Sequence, residues 1–461
     1  MKNKFILILA SAFITLTFQS CEDQLDIDPN SSLIAGTAFK NVDDLQNALN
    51  SSYARLNTRA ITFNSIFTDN TKLGKDNGGQ ETQLHSLILD ESNGTSAVLW
   101  NSRYAIINKT ARIIEASKII DITGSESRVN HILGQSYALR AFAHFELFQY
   151  FTPDYLNKEG LAVPAVNTII TIENLPRNTV AEVIALIETD LAKAISLLDT
   201  SETNNKYITL DFITALKARL YITTGDYGIA LSNANSLIAK YPLANRTQYE
   251  NMYLDSDNTE VIFKVARVTG DNRIGNTWHF SGGGPFIEMS NSLYNTLEVD
   301  DIRRNVLFNE ADSNPDENLH KINKYPGTAE EFLSDYKVFR VSEMYLIKAE
   351  VEIRNKDYAA SKITLKSLKD ARFPTPTATG TYSAVADGLT YVLAERRIEL
   401  AYEGHRYLDL KRFGKGLVRD DKDCSGLNDA CSISSDDRRF TLPIPLSEMN
   451  ANTLMTQNPG Y

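Results

Sequence analysis

Cysteine is scarce in this chain, three among 461 residues, far below the density of a fold stapled by disulfides. Tryptophan is scarcer, with two, against 21 Tyr and 20 Phe. A basic surplus is missing as well. Lys and Arg total 47 against 58 Asp and Glu, for a net charge of −11. Nucleic-acid binders normally carry a basic stripe that neutralises phosphates, so nucleic acid is not an expected partner. The longest apolar run, Phe5 to Phe18, covers 14 residues, whereas a membrane-spanning helix needs roughly 20. With 43% apolar and 23% charged residues, the composition is that of a soluble globular chain. Its length removes roughly three-quarters of the unfolded surface from water, enough for a core without covalent help.

The first twenty residues read as an address. Lys2 and Lys4 precede the apolar run, and Ser20 stands before Cys21. A basic start, a short apolar stretch and a small residue before the cut make a secretory signal. A Cys directly after the small residue is the layout of a bacterial lipoprotein, whose thiol carries a diacylglyceryl group. Phe18 stands where such signals usually have Leu, and an ordinary secretory signal with an incidental Cys is the plainer alternative. Residues 21–39, which begin Cys21-Glu22-Asp23, then form a polar tether behind the lipidated Cys21. The other two cysteines, Cys424 and Cys431, lie in a polar loop. In an oxidising exterior they can close a small disulfide; two free thiols are the alternative.

Apolar residues at three- and four-residue spacing predict helices over Tyr104–Ile120, His131–Phe151, Val180–Leu198, Phe212–Thr223, Val338–Ile353 and Tyr391–Tyr402. The clearest strand is Glu260–Val265. The expected class is mainly α with a minor β and loop component. Ala218, Tyr221, Gly225-Asp226-Tyr227, Ala230, Ala234 and Pro242 follow the tetratricopeptide spacing, with small residues where paired helices touch. Ala349, Tyr358, Ser361, Leu365 and Pro374 repeat it more loosely. His131–Phe151 with Val180–Leu198 is a candidate third pair; generic antiparallel helices are the alternative.

Between about 250 and 335 the pattern changes. Val268–Phe286 holds Gly270, Gly275, Gly282-Gly283-Gly284 and the cluster Trp278-His279-Phe280. Gly-rich backbone carrying rings predicts a loop that presents aromatics. Glu395, Glu399 and Glu403 recur every four residues and share a helix face, as paired glycosidase carboxylates could. Yet Arg396 can pair with Glu399, Glu403 with Arg406 and Asp409 with Arg412 at i+3, and a carboxylate held by Arg is a poor general acid. No catalytic residue is assigned. The six His show no metal-ligand spacing, and the Asp421–Ser432 stretch lacks the final Glu of a calcium loop. Neither metal nor cofactor is expected.

Three features together resemble the SusD/RagB family of nutrient-binding outer-membrane lipoproteins. The first is the stretch Glu395-Arg396-Arg397-Ile398-Glu399-Leu400-Ala401-Tyr402-Glu403-Gly404-His405-Arg406-Tyr407-Leu408-Asp409-Leu410-Lys411-Arg412-Phe413-Gly414. The second is the ending, Leu442-Pro443-Ile444-Pro445 to Gln457-Asn458-Pro459-Gly460-Tyr461. The third is the lipoprotein start. Ala138–Leu147, Arg340–Glu350 and Asp300–Arg304 add support. The resemblance implies a single SusD-like domain over 40–461, with an N-terminal helical part to about 250 and a C-terminal part from about 251. It implies tetratricopeptide-like helix pairs on one side and a loop-rich, minor-β ligand-facing side on the other.

The resemblance further implies a lipid-anchored protein exposed on the outer membrane, non-enzymatic, that binds an oligosaccharide and delivers it to a TonB-dependent SusC-type transporter. A peptide-binding subunit on the same scaffold and a tetratricopeptide-type interaction scaffold without a nutrient ligand are the alternatives. A sugar site needs rings beside polar groups. Trp278, His279 and Phe280 in the loop, the pair Trp100-Asn101, and Asp69 with Lys72 in the preceding loop are the candidate ligand-binding residues.

Overall fold

The computed structural model describes residues 39–171, 173–279, 284–424 and 431–461. The leader, Cys21, most of the tether and Phe280 lie outside the described residues. The chain opens with helices α1 (Val42–Tyr53) and α2 (Arg59–Ile66), strand β1 (Thr71–Leu73) and a single turn, α3 (Thr82–His85). Long helices follow: α4 (Gly94–Ala116), α5 (Glu126–Phe151), α6 (Val180–Leu197), α7 (Leu210–Thr224) and α8 (Tyr227–Ile238). Then come α9 (Arg246–Tyr253), β2 (Val261–Val265), β3 (Ile287–Met289), α10 (Asn291–Tyr294), α11 (Ile302–Leu307) and β4 (Tyr336–Arg340). The remainder comprises α12 (Val341–Arg354), α13 (Tyr358–Asp370), α14 (Val385–Glu399), α15 (Arg406–Arg412), β5 (Leu417–Val418), β6 (Ser432–Ile433) and α16 (Leu446–Ala451). The fold is mainly α, as the periodicity predicts.

The helix pairs form where the small residues allow. In the first tetratricopeptide-like unit, α7 packs on α8 through Ala218, Ala230 and Ala234, all fully buried. Gly225, at φ 86°, ends α7 in the left-handed region that spares a residue without Cβ. The second unit pairs α12 with α13, and α12 also packs on α8. The two units therefore stack on each other although more than a hundred residues separate them. The third pair, α5 with α6, is present too. A Cβ on Gly134 would come within 2.9 Å of the Leu198 backbone nitrogen, so that glycine permits the close approach.

α5 is central, and from Ala138 to Phe151 every residue is buried. Its polar side chains tie the neighbouring helices together. Arg140 meets Asp190 of α6 at 2.7 Å and Glu146 meets Arg103 of α4 at 2.9 Å. His144 accepts the Val166 amide at 3.1 Å.

Three two-stranded antiparallel ribbons bridge distant parts of the chain: β1 with β3, β2 with β4, and β5 with β6. Val338, Phe339 and Arg340 depart from the helix expected over Val338–Ile353. They belong to β4, in which Arg340 pairs with Val261 and Phe339 with Phe263 around an irregular register. Their apolar residues are buried on both faces, so periodicity does not distinguish strand from helix there. α14 ends at Glu399, short of the expected Tyr402, because Tyr402 and Gly404 both turn to positive φ, 62° and 87°.

The ion pairs also differ from those expected. Of the i+3 partners expected in the Glu395–Arg412 stretch, only Asp409 with Arg412 is found, at 3.5 Å. Arg396 pairs with Asp409 at 2.9 Å. Glu395 is paired with Arg303. Glu399 meets Arg372, Arg340 and Arg303 at 2.9, 3.1 and 3.3 Å. Glu403 meets Lys324 at 2.6 Å and Arg340 at 2.8 Å. Cations from distant segments, rather than i+3 neighbours, hold Glu395, Glu399 and Glu403.

Candidate functional site

A cleft of about 320 Å³ opens beside the N-terminal half of α4. Asn93 caps that helix by accepting the Thr95 amide at 2.9 Å. The cap fixes where the helix starts, and Trp100, Tyr104 and Asn108 then fall on one row at i, i+4 and i+8, with Asn101 beside them. The facing wall is formed by Pro164, Val166, Ile170, Thr171, Glu173 and Leu175, and Glu448 and Asn452 close one side.

Every wall is pinned. Tyr104 donates its hydroxyl to the Pro164 carbonyl at 2.9 Å. Asn108 and Ile170 exchange two hydrogen bonds, amide nitrogen to carbonyl at 3.1 Å and backbone nitrogen to side-chain oxygen at 3.2 Å. Trp100 donates Nε1 to Glu448 at 3.4 Å, and Asn452 donates to the other oxygen of that carboxylate at 2.9 Å. Thr171 donates its backbone nitrogen to Glu173 at 2.8 Å.

Trp100 forms the floor of the cleft. It is 2% exposed and wedged between Tyr104 and Phe151, with ring centroids 4.8 and 4.9 Å away. The accessible ring is Tyr104, which is half-buried, and the accessible amide is Asn101, which is exposed. Burial pushes the Tyr104 hydroxyl well above its ordinary pKa, so it acts as a neutral group. A ring, several amides and two carboxylates around an apolar floor make a surface for polyols. C–H faces can lie on the ring, and hydroxyls find both donors and acceptors.

The glycine-rich loop is arranged differently from its expected role. Trp278 is 0% exposed and packs on Tyr402 at 5.0 Å. His279 is buried as well, with Nε2 against the Ile322 carbonyl at 2.8 Å and its ring over Phe332 at 5.6 Å. The cause is local backbone pairing. Gly275 donates to the Phe332 carbonyl at 3.1 Å, and Phe286 donates to the Trp278 carbonyl at 3.1 Å. A Cβ on Gly275 would sit 2.5 Å from the Tyr325 carbonyl oxygen. Gly275, Trp278 and His279 are thus drawn inward, and Trp278 and His279 are core rather than ligand-facing residues.

Asp69 is also spoken for. Its carboxylate forms a fork with Arg406 at 2.7 Å on both oxygens and meets Arg397 at 3.3 Å. Burial alone would raise its pKa, but Arg397 and Arg406 outweigh that and hold it well below the ordinary carboxylate range. It is a structural anion, not an open acceptor for sugar hydroxyls. Lys72 is buried and donates to the backbone and side-chain oxygens of Asn318, with Glu288 at 3.4 Å. It lines a second cleft of about 470 Å³ with Lys75, Glu317 and Lys422. Next to this cleft, Cys424 and Cys431 are joined by a disulfide, Sγ–Sγ 1.98 Å. Asp423 accepts from Asn291 at 2.7 Å through both the backbone and the side-chain nitrogen. Among the described residues no cluster of three or more His, Cys, Asp or Glu is placed to hold a metal ion.

Of the expected ligand residues, then, Trp100 and Asn101 meet at one cleft, while Trp278, His279 and Asp69 serve packing and ion pairing. Sequence reasoning missed Tyr104 and Asn108, which the four-residue row from Trp100 could have revealed. It had no means to find Glu448 and Asn452, which arrive from more than 300 residues away.

Comparison with known proteins bears on the whole chain. The model of the SusD family matches residues 192–461, and that of "Starch-binding associating with outer membrane" matches residues 23–222. A SusD-like protein of Formosa agariphila is 27% identical over 100% of this chain and 99% of its own. A second from the same organism is 24% identical over 90% of this chain and 93% of its own. A putative sugar binding protein of Bacteroides vulgatus superimposes with a TM-score of 0.79 at 26% identity, covering 92% of this chain and 100% of that one. A SusD superfamily protein of the same organism gives 0.80 at 25% identity, over 92% and 100%. With a family model spanning more than half of its length and relatives matched nearly end to end, the chain belongs to the SusD family.

Proposed function

We propose that this chain is a cell-surface glycan-binding protein of the outer membrane, anchored by lipid on Cys21, which hands oligosaccharide to a TonB-dependent transporter of the SusC type. The observation that carries the glycan reading is the Trp100 cleft, where a half-buried Tyr104 ring stands beside Asn101, Asn108 and Glu448 on a pinned framework. Family membership, the starch-binding description and a sugar-binding structural neighbour support it. The lipoprotein-like leader supports the anchor.

The mechanism is capture and release, with no chemical step. A preformed cleft lowers the ordering cost of binding. One ring and a few neutral hydrogen bonds, each worth about 0.5–1.5 kcal/mol, give an affinity modest enough for hand-off. Glu395, Glu399 and Glu403 are committed to cations, which supports a non-enzymatic role.

The test is calorimetric titration of the chain lacking residues 1–21 with malto-, laminari- and xylo-oligosaccharides, and with a tryptic peptide digest. Saturable binding of one glycan class is expected, weakened about tenfold by Tyr104→Ala and largely kept in Tyr104→Phe, which retains the ring. Binding of the peptide digest alone, or a glycan affinity indifferent to Tyr104→Ala, overturns the reading.

A further inference from the structure

A third cleft, of about 490 Å³, lies on another part of the molecule and shares no residue with the Trp100 cleft. Its walls are the end of α13, the segment 373–381, Tyr391 of α14 and the 298–300 turn. Phe373 and Tyr391 are half-buried. The Lys369 ammonium lies between them, 5.8 Å from one ring centroid and 5.9 Å from the other. Thr375 and Thr379 are exposed on one rim, and Glu298 and Asp300 on the opposite rim.

The cleft is held in shape although most of its wall is irregular. Asp370, the last residue of α13, accepts the Thr377 backbone nitrogen at 2.7 Å and its hydroxyl at 2.8 Å. Lys366 braces the same carboxylate at 2.7 Å. Arg246 staples the two walls, donating one nitrogen to the Asp300 carbonyl and to the Arg372 carbonyl, each at 2.7 Å. The Ile302 amide donates to the Arg372 carbonyl as well, at 3.0 Å. Gly380 passes directly over aromatic carbon, since a Cβ there would come within 2.9 Å of Tyr382 and 3.4 Å of Tyr391. Only glycine lets the loop lie on these rings.

We propose that this cleft is a second saccharide-binding site, specific for neutral sugars, formed by Phe373, Tyr391 and Lys369 against the Thr375–Thr379 rim. Two rings offer faces for C–H stacking, an ammonium offers donors, and threonine hydroxyls and two carboxylates complete a mixed donor and acceptor rim. Such a rim matches the alternating hydroxyls of a sugar. Two carboxylates against one ammonium disfavour a polyanion, and the polar rim gives no depth for an acyl chain. Because the walls are already tied by Asp370 and Arg246, binding forgoes the cost of ordering the loop. The proposal rests on the reading of the chain as a glycan binder but concerns a different surface.

The test uses the chain lacking residues 1–21 with its threonine methyl groups isotopically labelled. Methyl spectra are recorded against maltoheptaose, laminarihexaose and xylohexaose up to about 10 mM, where a site with a Kd on the order of 1 mM is nearly filled. Thr375, Thr377, Thr379 and Thr381 report this cleft, and Thr171 reports the Trp100 cleft. The expected result is a saturable shift at Thr375 and Thr379 with at least one sugar. Phe373→Ala and, independently, Lys369→Ala weaken that shift about tenfold while the Thr171 response stays as in the unaltered chain. A Thr171 response with Thr375 and Thr379 silent overturns the second site and leaves the first. Silence at all of these threonines overturns both readings for neutral sugars. A shift at Thr375 that persists unchanged in both variants also overturns the assignment.

Discussion

Arg372 and Glu399 form a two-point ion pair with no solvent on either side chain. Arg372 Nη2 and Nε reach the two oxygens of Glu399 at 2.9 and 3.0 Å, and each side chain is 0% exposed. The same guanidinium meets Glu260 at 2.7 Å and lies 4.2 Å from the Tyr249 ring centroid. Around Glu399 stand Arg303 and Arg340 as well. Burial alone would raise the Glu399 pKa. Arg372 and Arg340, with Arg303 behind them, reverse that and hold the carboxyl well below its ordinary range. The cluster fastens the end of α14 to β4, α11 and the segment after α13, which is also the wall of the proposed second site.

A buried pair of this kind adds little over an apolar one, because desolvation offsets attraction, but removing one partner strands the rest. Glu399→Ala should therefore lower stability by about 3–5 kcal/mol in urea unfolding. Glu115→Ala, which breaks only the exposed pair with Lys118, should leave the urea midpoint nearly unchanged. Equal midpoints for the two variants would show that the cluster is not a structural hub.

Acid should destabilise the chain in two stages. His85 and His144 are pushed down to about 3, chiefly by burial, so they stay neutral when folded and take up protons below about 6.5 when unfolded. The unfolded state then binds more protons, and stability falls as pH drops. The two together should remove about 2.5 kcal/mol between pH 7 and 5.5. Glu399, Glu403 and Asp69 have folded pKa values below the ordinary range because their Arg and Lys partners outweigh burial. Their contribution is complete above about pH 5 and is lost as pH falls from there toward the folded values. Urea midpoints measured from pH 8 to 2 test both stages, and a flat profile between pH 7 and 5.5 contradicts the first.

Trp278 belongs to the core, so Trp278→Ala should lower stability by about 3–5 kcal/mol, and Trp278→Phe by less. The Trp278→Phe protein should bind oligosaccharide with unaltered affinity. Intrinsic fluorescence should be that of buried indoles, since Trp100 is 2% and Trp278 0% exposed. Loss of glycan binding in Trp278→Phe at unchanged thermal stability would return this ring to the binding surface.

The disulfide closes a short loop, with a sequence separation of seven between Cys424 and Cys431. On a chain-entropy basis such a loop contributes about 2–3 kcal/mol at most. Cys424→Ser with Cys431→Ser should lower the unfolding free energy from urea titration by an amount within that range and leave the Trp100 cleft intact. A change in glycan affinity at the Trp100 cleft would mean that the two regions communicate.

The late Glu395–Gly414 stretch shows what could and could not be read from residue order. Its alternation of Glu and Arg announces ion pairing, and pairing is what is found. The partners could not be named, because α14 unwinds at Leu400 and the cations arrive from Arg303, Arg340 and Arg372. The glycine-rich loop shows the reverse case. Gly275 and its neighbours do mark irregular backbone, but composition cannot tell whether a loop turns its rings outward or docks them inward. Here two backbone pairings, Gly275 with Phe332 and Phe286 with Trp278, decided it.

Residue order by itself determined the helical class, the paired helices with their alanine contacts and left-handed glycine stop, and the position of Trp100 beside Asn101. These follow from interactions within a few residues, where periodicity, caps and small side chains act directly. Tertiary structure alone decided which rings face solvent, which carboxylates are neutralised, and that Glu448 and Asn452 close a cleft begun by α4. Those outcomes depend on contacts between segments hundreds of residues apart, and no local pattern encodes the partner of a buried charge or the far wall of a cleft.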